Sequence, residues 1–219
     1  MLLISRMPIF YNYRNDHGVE VSIWKLEEEL DYFRSAMYLY EEEKEEIKGL
    51  STRKLLEWYA SRYLLHKLSG WDYRGACLKD GYGKPYLLGS KHYISLSHSN
   101  NWIAAAEGLP AVGVDIQLIV TKITRIAPKF AGEEELEFVE GDDNILGLHF
   151  IWGAKESIYK AYGKGNIDLR KNIRVAPFDI TSQIRTTAVL TLENIRMTFD
   201  IQAQKLENYV LVLATDITD

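Results

Sequence analysis

Cysteine is almost missing from this chain: Cys77 is the only one in 219 residues. An intramolecular disulfide and a thiolate metal cluster are thereby excluded, and Cys77 itself reads as a small buried apolar residue. Long apolar runs are missing too. No stretch approaches the roughly 18 uninterrupted apolar residues that a bilayer-spanning helix needs. The opening MLLISRMPIFYNYRN lacks the apolar region and small-residue cleavage site of a signal peptide. Together these absences predict a cytoplasmic protein. There is no basic excess either. The net charge of −5 disfavours sustained binding of nucleic acid, yet a phosphorylated small molecule needs only a local cluster of cations. The chain has no Gly-x-Ser-x-Gly elbow, so a Ser-His-Asp hydrolase is not supported.

What is present suits a globular body. A hydrophobic content of 47% can fill a core, and the length fits one large domain or two fused small ones. Alternation predicts a strand over Val19–Leu26, then a helix over Leu26–Tyr40 with three glutamates near its start. Glu41–Lys48 reads as a solvated helix face. Ser51 caps a helix carrying Leu55, Leu56, Tyr59, Tyr63 and Leu64 at helical spacing up to Gly70. Asp80–Ser90 reads as turns. Strands follow at Tyr93–Ser97, Trp102–Glu107 and Val112–Gln117, then short helices at Ile123–Phe130 and Glu133–Val139. A longer helix over Asn144–Tyr162 is stopped by Gly163. The rest reads as strands: Ile173–Val175, Thr187–Leu192, Ile195–Ala203 and Tyr209–Ala214. The pattern predicts an α+β protein of two lobes, 1–110 and 111–219, meeting at Leu109-Pro110-Ala111.

Four segments could carry chemistry. In Val112–Gln117 the apolar residues take one face of a strand, and Asp115 with Gln117 takes the other. Two oxygen-bearing side chains so placed suit a hard cation such as Mg²⁺, and Gly113 leaves room for a ligand beside them. A strand-end aspartate making a turn is the plainer reading of the same residues. In Trp152–Lys160, spacing by four puts Trp152, Glu156 and Lys160 on one helix face. That face is either a surface ion pair beside a core tryptophan, or a metal-binding or proton-accepting carboxylate near a cation. Ile94–Ser99 offers Ser97 and His98 as phosphate donors, or is simply a strand entering a polar turn. Gly83-Lys84-Pro85 braces a lysine in a turn.

In order, these segments read GKPYL, ISLSHS, GVDIQ and WGAKESIYKAYGKG. The set resembles the 4′-phosphopantetheinyl transferase superfamily, specifically its larger Sfp-type members of two fused lobes. The resemblance spans about Arg53 to Gly165. It implies two similar α+β lobes in a pseudo-twofold arrangement, with the cleft between them and the metal site in the second. It also implies transfer of the phosphopantetheine arm of coenzyme A to a serine of an apo carrier protein, releasing adenosine 3′,5′-bisphosphate. By resemblance Asp115, Glu156 and Gln117 hold Mg²⁺, and Glu156 and Lys160 are catalytic. Arg53, Lys84, Ser97, His98 and Lys155 bind coenzyme A. Gln117 departs from the family's usual acid in GxDxE. A monomer is implied, since each chain builds its own cleft. Lys122, Arg125 and Lys129, at helical spacing after GVDIQ, are the candidate face for an acidic carrier. Two other functions use the same residues: a metal-dependent phosphohydrolase, or a non-catalytic module binding coenzyme A or the carrier. The first lacks a second cluster of acids or histidines for a two-metal site.

Overall fold

Hydrophobic alternation and helix-stop residues translate into elements along the chain with few surprises. The computed structural model describes residues 9–141 and 144–218. The expectation about a signal peptide concerns the amino terminus, whose residues 1–8 lie outside the described residues. The first half contains β1 (Ile9–Arg14), β2 (Glu20–Lys25), α1 (Leu30–Ala36), α2 (Glu41–Glu46), α3 (Thr52–Ser69), β3 (Cys77–Lys79), β4 (Pro85–Leu87), β5 (Tyr93–Ser99) and β6 (Trp102–Gly108). The second contains β7 (Val112–Leu118), α4 (Ile123–Phe130), α5 (Glu133–Phe138), α6 (Asn144–Tyr162), α7 (Leu169–Asn172), β8 (Ile173–Val175), β9 (Gln183–Leu192), β10 (Ile195–Leu206) and β11 (Tyr209–Asp216). The fold is α+β.

Two larger antiparallel sheets run β1-β2-β6-β5 and β7-β11-β10-β9-β8, and β3 with β4 forms a small ribbon. The wiring recurs. In one sheet β2 pairs with β6, which pairs with β5; in the other β7 pairs with β11, which pairs with β10. A long helix, α3 or α6, separates the first strand of each set from the last two.

Period-two alternation places the core. Val21 and Ile23 of β2, Trp102, Ala104 and Ala106 of β6, Val114 and Ile116 of β7, and Leu211 and Leu213 of β11 form one apolar cluster that joins the two sheets. The intervening residues of β6, Ile103 and Ala105, pack instead with Trp24, Phe33 and Leu64 near α1 and α3. Phe150, Ile151 and Ile158 of α6 pack with Phe199 and Ile201 of β10. Full burial of such a side chain contributes about 1.5–3 kcal/mol. The helix ends obey their signals. The Ser51 hydroxyl accepts the Lys54 N–H at 3.4 Å, and Gly70 closes α3 at φ 65°. Gly163 closes α6 at φ 71° and donates its N–H to the Tyr159 carbonyl at 3.0 Å.

Several elements differ from the sequence reading. Strand β4 of the β3–β4 ribbon lies in the stretch read as turns, and β3 just before it was not read as a strand, because three-residue strands are too short to show alternation. Helix α1 starts at Leu30 because Glu28, upstream of it, is tied back and accepts the Trp24 indole N–H at 3.1 Å. The acidic run over α2 is not wholly solvated. Glu43 is fully buried, and its carboxylate accepts both Arg74 guanidinium ends and the Cys77 N–H. Cys77 is buried as expected. Among the described residues no helix is long and apolar enough to cross a membrane.

Candidate active site

Strand β7 turns Val112, Val114 and Ile116 into the core cluster that joins the sheets. By the same alternation Gly113, Asp115 and Gln117 point the other way, toward α6. That helix presents His149, Gly153, Glu156 and Lys160 at steps of four, three and four, which is one helix face. The approach is close because Gly113 has no side chain: a Cβ there would lie 1.8 Å from the Ser157 carbonyl oxygen. The space that the sequence reading left to a ligand at Gly113 is therefore filled by the α6 backbone. Gly153 acts similarly, since a Cβ on it would lie 2.5 Å from Val212 and 2.9 Å from Gln117 Nε2.

At the centre of this contact sits Asp115, only 8% exposed. Its Oδ1 accepts from Lys160 Nζ at 2.9 Å and from the Ser97 hydroxyl at 3.1 Å; its Oδ2 accepts from Gln117 Nε2 at 3.1 Å. Lys160 also donates to the Val114 carbonyl at 2.9 Å and to Ser97 Oγ at 3.0 Å. All three ammonium protons are thus engaged, so in this geometry Lys160 acts on a ligand through its charge. Burial holds the Glu156 carboxyl above the usual carboxylate range, the negative charge of Asp115 adds to this, and Lys160 opposes it. Two carboxylates against one ammonium leave the cluster with a net negative charge and two hard oxygen ligands, which fits a divalent cation such as Mg²⁺. Among the described residues no group of three or more His, Cys, Asp or Glu side chains is arranged to hold a metal, so the fit rests on this pair.

The alternating serines of β5 explain why Asp115 is placed so firmly. Ser95, Ser97 and Ser99 accept the N–H groups of Val114, Ile116 and Leu118 at 2.9, 3.1 and 3.2 Å. Three hydroxyls at period two therefore join two edge strands of different sheets. Ser97 was expected to bind phosphate, and the geometry corrects this. Its one proton goes to Asp115, and its two lone pairs take Ile116 N–H and Lys160. A hydroxyl so committed has no capacity left.

Lys84 lies across the carboxyl end of α6. Its Nζ donates to the Ala161 carbonyl, and its stem passes so near Gly163 that a Cβ there would lie 2.2 Å from Lys84 Cδ. Burial lowers its pKa to about 8. Lys84 and Lys160 share a cavity of about 120 Å³ with Tyr82, Pro85 and Tyr159. A second cavity of about 330 Å³, lined by Lys54, Glu57, Lys79 and His98, shares Pro85 and Leu96 with the first. Arg53 and His98 meet here through Glu57, with Arg53 Nε at 3.1 Å from one oxygen and His98 Nδ1 at 3.5 Å from the other. Both are exposed, with side chains 64% and 53% accessible.

Residues 111–214, which include this acid pair, match the sequence model of the 4′-phosphopantetheinyl transferase superfamily. The chain is thus similar to that superfamily over just under half of its length. It is 33% identical over 90 residues to 4′-phosphopantetheinyl transferase gsp of Aneurinibacillus migulanus, covering 40% of this chain and 38% of the relative. Segments of proteins from Haemophilus influenzae and Synechocystis, both provisionally named 4′-phosphopantetheinyl transferases, align at 29% over 102 residues and 30% over 92. These cover 43% and 38% of this chain, and 43% and 37% of the relatives. The chain thus spans less than half the length of the curated relatives it matches.

Two residues assigned by resemblance to this family's ligands stand elsewhere. Lys155 is fully buried, and its ammonium donates to Glu135 Oε2 at 2.6 Å, Ile173 O at 2.7 Å and Leu169 O at 3.0 Å. It fastens α5, α7 and β8 to α6 and cannot also reach coenzyme A. Gln117 does not aim its carbonyl at a metal: Oε1 lies 2.8 Å from His149 Nδ1, while Nε2 faces Asp115. The sequence reading missed His149 and Glu57. Both carried a spacing signal, since Glu57 is four residues after Arg53 and His149 completes the face of Glu156 and Lys160. Lys122, Arg125 and Lys129 are exposed at and along α4.

Proposed function

We propose that the chain is an Sfp-type transferase that moves the 4′-phosphopantetheine arm of coenzyme A onto a serine of an apo carrier protein. The observation that carries this is the convergence of Asp115, Glu156 and Lys160 where β7 meets α6, beside a groove holding Lys84 and His98. Asp115 and Glu156 would hold Mg²⁺, which when bound neutralises charge on the coenzyme A pyrophosphate. Glu156, half-buried and less acidic than usual, accepts the proton of the incoming serine, directly or through a water that it orients. The serine oxygen forms a bond to the β-phosphorus, the bond to the bridging oxygen breaks, and adenosine 3′,5′-bisphosphate leaves. The positive charge of Lys160 offsets the negative charge that develops on the leaving group. Lys84, His98 and Arg53 hold the coenzyme A phosphates.

In this reading the chain works in the cytoplasm as a monomer. Its lobes, 1–110 and 111–219, are related by a pseudo-twofold with the cleft between them, a division supported by the shared sheet wiring. Exposed Lys122, Arg125 and Lys129 face the acidic carrier.

The test is to incubate the protein with coenzyme A, Mg²⁺ and an apo carrier protein and to weigh the carrier. A gain of one phosphopantetheine is expected, with Arg125→Glu raising the carrier KM. Hydrolysis of coenzyme A without carrier modification, or binding without chemistry, would sink the transferase reading. An unchanged carrier KM would remove α4 from the docking face.

Lys84 also gives the reaction a pH signature. A phosphate is held by the ammonium form, which predominates below a pKa of about 8. The KM for coenzyme A should rise as pH passes above that value. Lys84→Met should show a higher KM with this step removed. The same step persisting in Lys84→Met would assign the titration to another group.

A further inference from the structure

We propose that His149 is a positioning residue for Asp115, acting through Gln117, so that a hydrogen-bonded brace stands where a third oxygen ligand would otherwise be. The proposal rests on the reading that Asp115 and Glu156 hold a divalent cation.

The brace can be followed proton by proton. His149 Nε2 lies 3.0 Å from the Val120 nitrogen and 3.2 Å from the Val120 carbonyl oxygen. The backbone N–H is always a donor and points at Nε2, so a second proton on that nitrogen would oppose it, and Nε2 is assigned as the acceptor. In the neutral ring the proton is then on Nδ1, and Nδ1–H donates to Gln117 Oε1 at 2.8 Å. This orients the amide. Its Nε2 donates to Asp115 Oδ2 at 3.1 Å and to the His149 carbonyl at 3.3 Å. The flipped amide is disfavoured twice, because it would set a carbonyl oxygen against the Asp115 carboxylate and an NH₂ against Nδ1–H. His149 is 1% exposed, and the missing side chain at Gly153 leaves room for the amide.

The consequence falls on Asp115. Ser97 and Lys160 hold one carboxylate oxygen, and Gln117 holds the other. Neither oxygen can turn without breaking a hydrogen bond, so the carboxylate is oriented before any cation arrives. Such supporting contacts typically alter metal affinity by about 10–100-fold when removed. The brace carries no negative charge. An acid at position 117 would instead add a third like charge beside Asp115 and Glu156, and would offer Asp115 no proton.

The experiment uses the full chain without coenzyme A and measures Mn²⁺ binding by the loss of its free-ion electron spin resonance signal. Unfolding curves of each variant are recorded alongside. His149→Phe keeps ring volume but removes donor and acceptor. Gln117→Met keeps length but removes the amide. Each should weaken Mn²⁺ binding by about tenfold or more, and His149→Asn, which can place an amide N–H where Nδ1–H stands, should recover most of the loss. Wild type that binds Mn²⁺, with Gln117→Met and any folded His149→Phe within about twofold of it, would overturn the brace alone. Wild type that binds no Mn²⁺ would overturn the cation reading beneath it. If His149→Phe does not fold, Gln117→Met decides.

Discussion

Glu156→Gln is expected to lower carrier modification by at least about 10²–10⁴-fold, the range that general base catalysis supplies, while making the folded protein more stable at neutral pH. The two effects have one cause. Burial, and then the charge of Asp115, hold the Glu156 carboxyl above its ordinary range. The folded chain therefore binds that proton more tightly than the unfolded chain does. Stability from this group is fully present at acid pH and is lost as pH rises through the raised value. At neutral pH the ionised carboxylate weakens the fold, and glutamine removes the charge while keeping the shape. The midpoint of thermal unfolding should exceed that of wild type at neutral pH, and the gap should close as pH falls into the ordinary carboxylate range. Full transfer activity in Glu156→Gln would remove this residue from the reaction. A lower midpoint at neutral pH would show that favourable partners, not burial, govern the carboxylate.

Why the shared face of Glu156 and Lys160 was legible from sequence, and the buried course of Lys155 was not, is a matter of helix geometry. At 3.6 residues per turn, Glu156 and Lys160 lie about 40° apart around the helix, whereas Lys155 and Lys160 lie about 140° apart. The angle shows that Lys155 leaves the face of Glu156. Only the tertiary structure shows where it goes, into a buried pair with Glu135 that closes α5 and β8 onto α6. The serines of β5 make the same point. Their period of two puts Ser95, Ser97 and Ser99 on one face, which a sequence reveals, but their partners are backbone N–H groups of β7 some nineteen positions away. Side-chain character was a poor guide to Ser97 because its capacity is consumed by contacts that no local pattern records. Gln117 shows the limit in another form. Its departure from an acid was visible, and its reason was not, since His149 lies thirty-two residues along the chain. Lys84 and His98 line cavities and Arg53 meets Glu57 beside one of them, placements that a turn, a strand end or a helix start supplies without a distant partner.

Gly113→Ala should be the most damaging small substitution in the site. The added methyl would lie 1.8 Å from the Ser157 carbonyl oxygen, 2.7 Å from its carbonyl carbon and 2.9 Å from the Ala161 nitrogen. All three are helix backbone, so no rotamer change relieves the contact. Either α6 lifts from β7 or the strand shifts, and both breach packing that Val114, Val212 and Ile158 complete. Overpacking a close-packed interior typically costs about 1–3 kcal/mol and occasionally more, and a contact this short between two backbones belongs at the upper end. For a chain of this size each kcal/mol lowers the unfolding midpoint by about 2–4 °C, so a fall of roughly 5 °C or more is expected. Activity should fall further than stability does. Asp115 is two residues from Gly113 on β7, while Glu156 and Lys160 flank Ser157 on α6, so the shift that relieves the clash separates the carboxylates that a cation must bridge. Position 153 provides the comparison. A methyl there would meet the Val212 and Gln117 side chains rather than helix backbone, so Gly153→Ala should cost less stability, although displacing the Gln117 amide would still weaken the site. Equal losses of stability at the two positions, or a Gly113→Ala protein that unfolds with wild type and transfers at its rate, would show that the approach of α6 to β7 does not set the geometry of the acid pair.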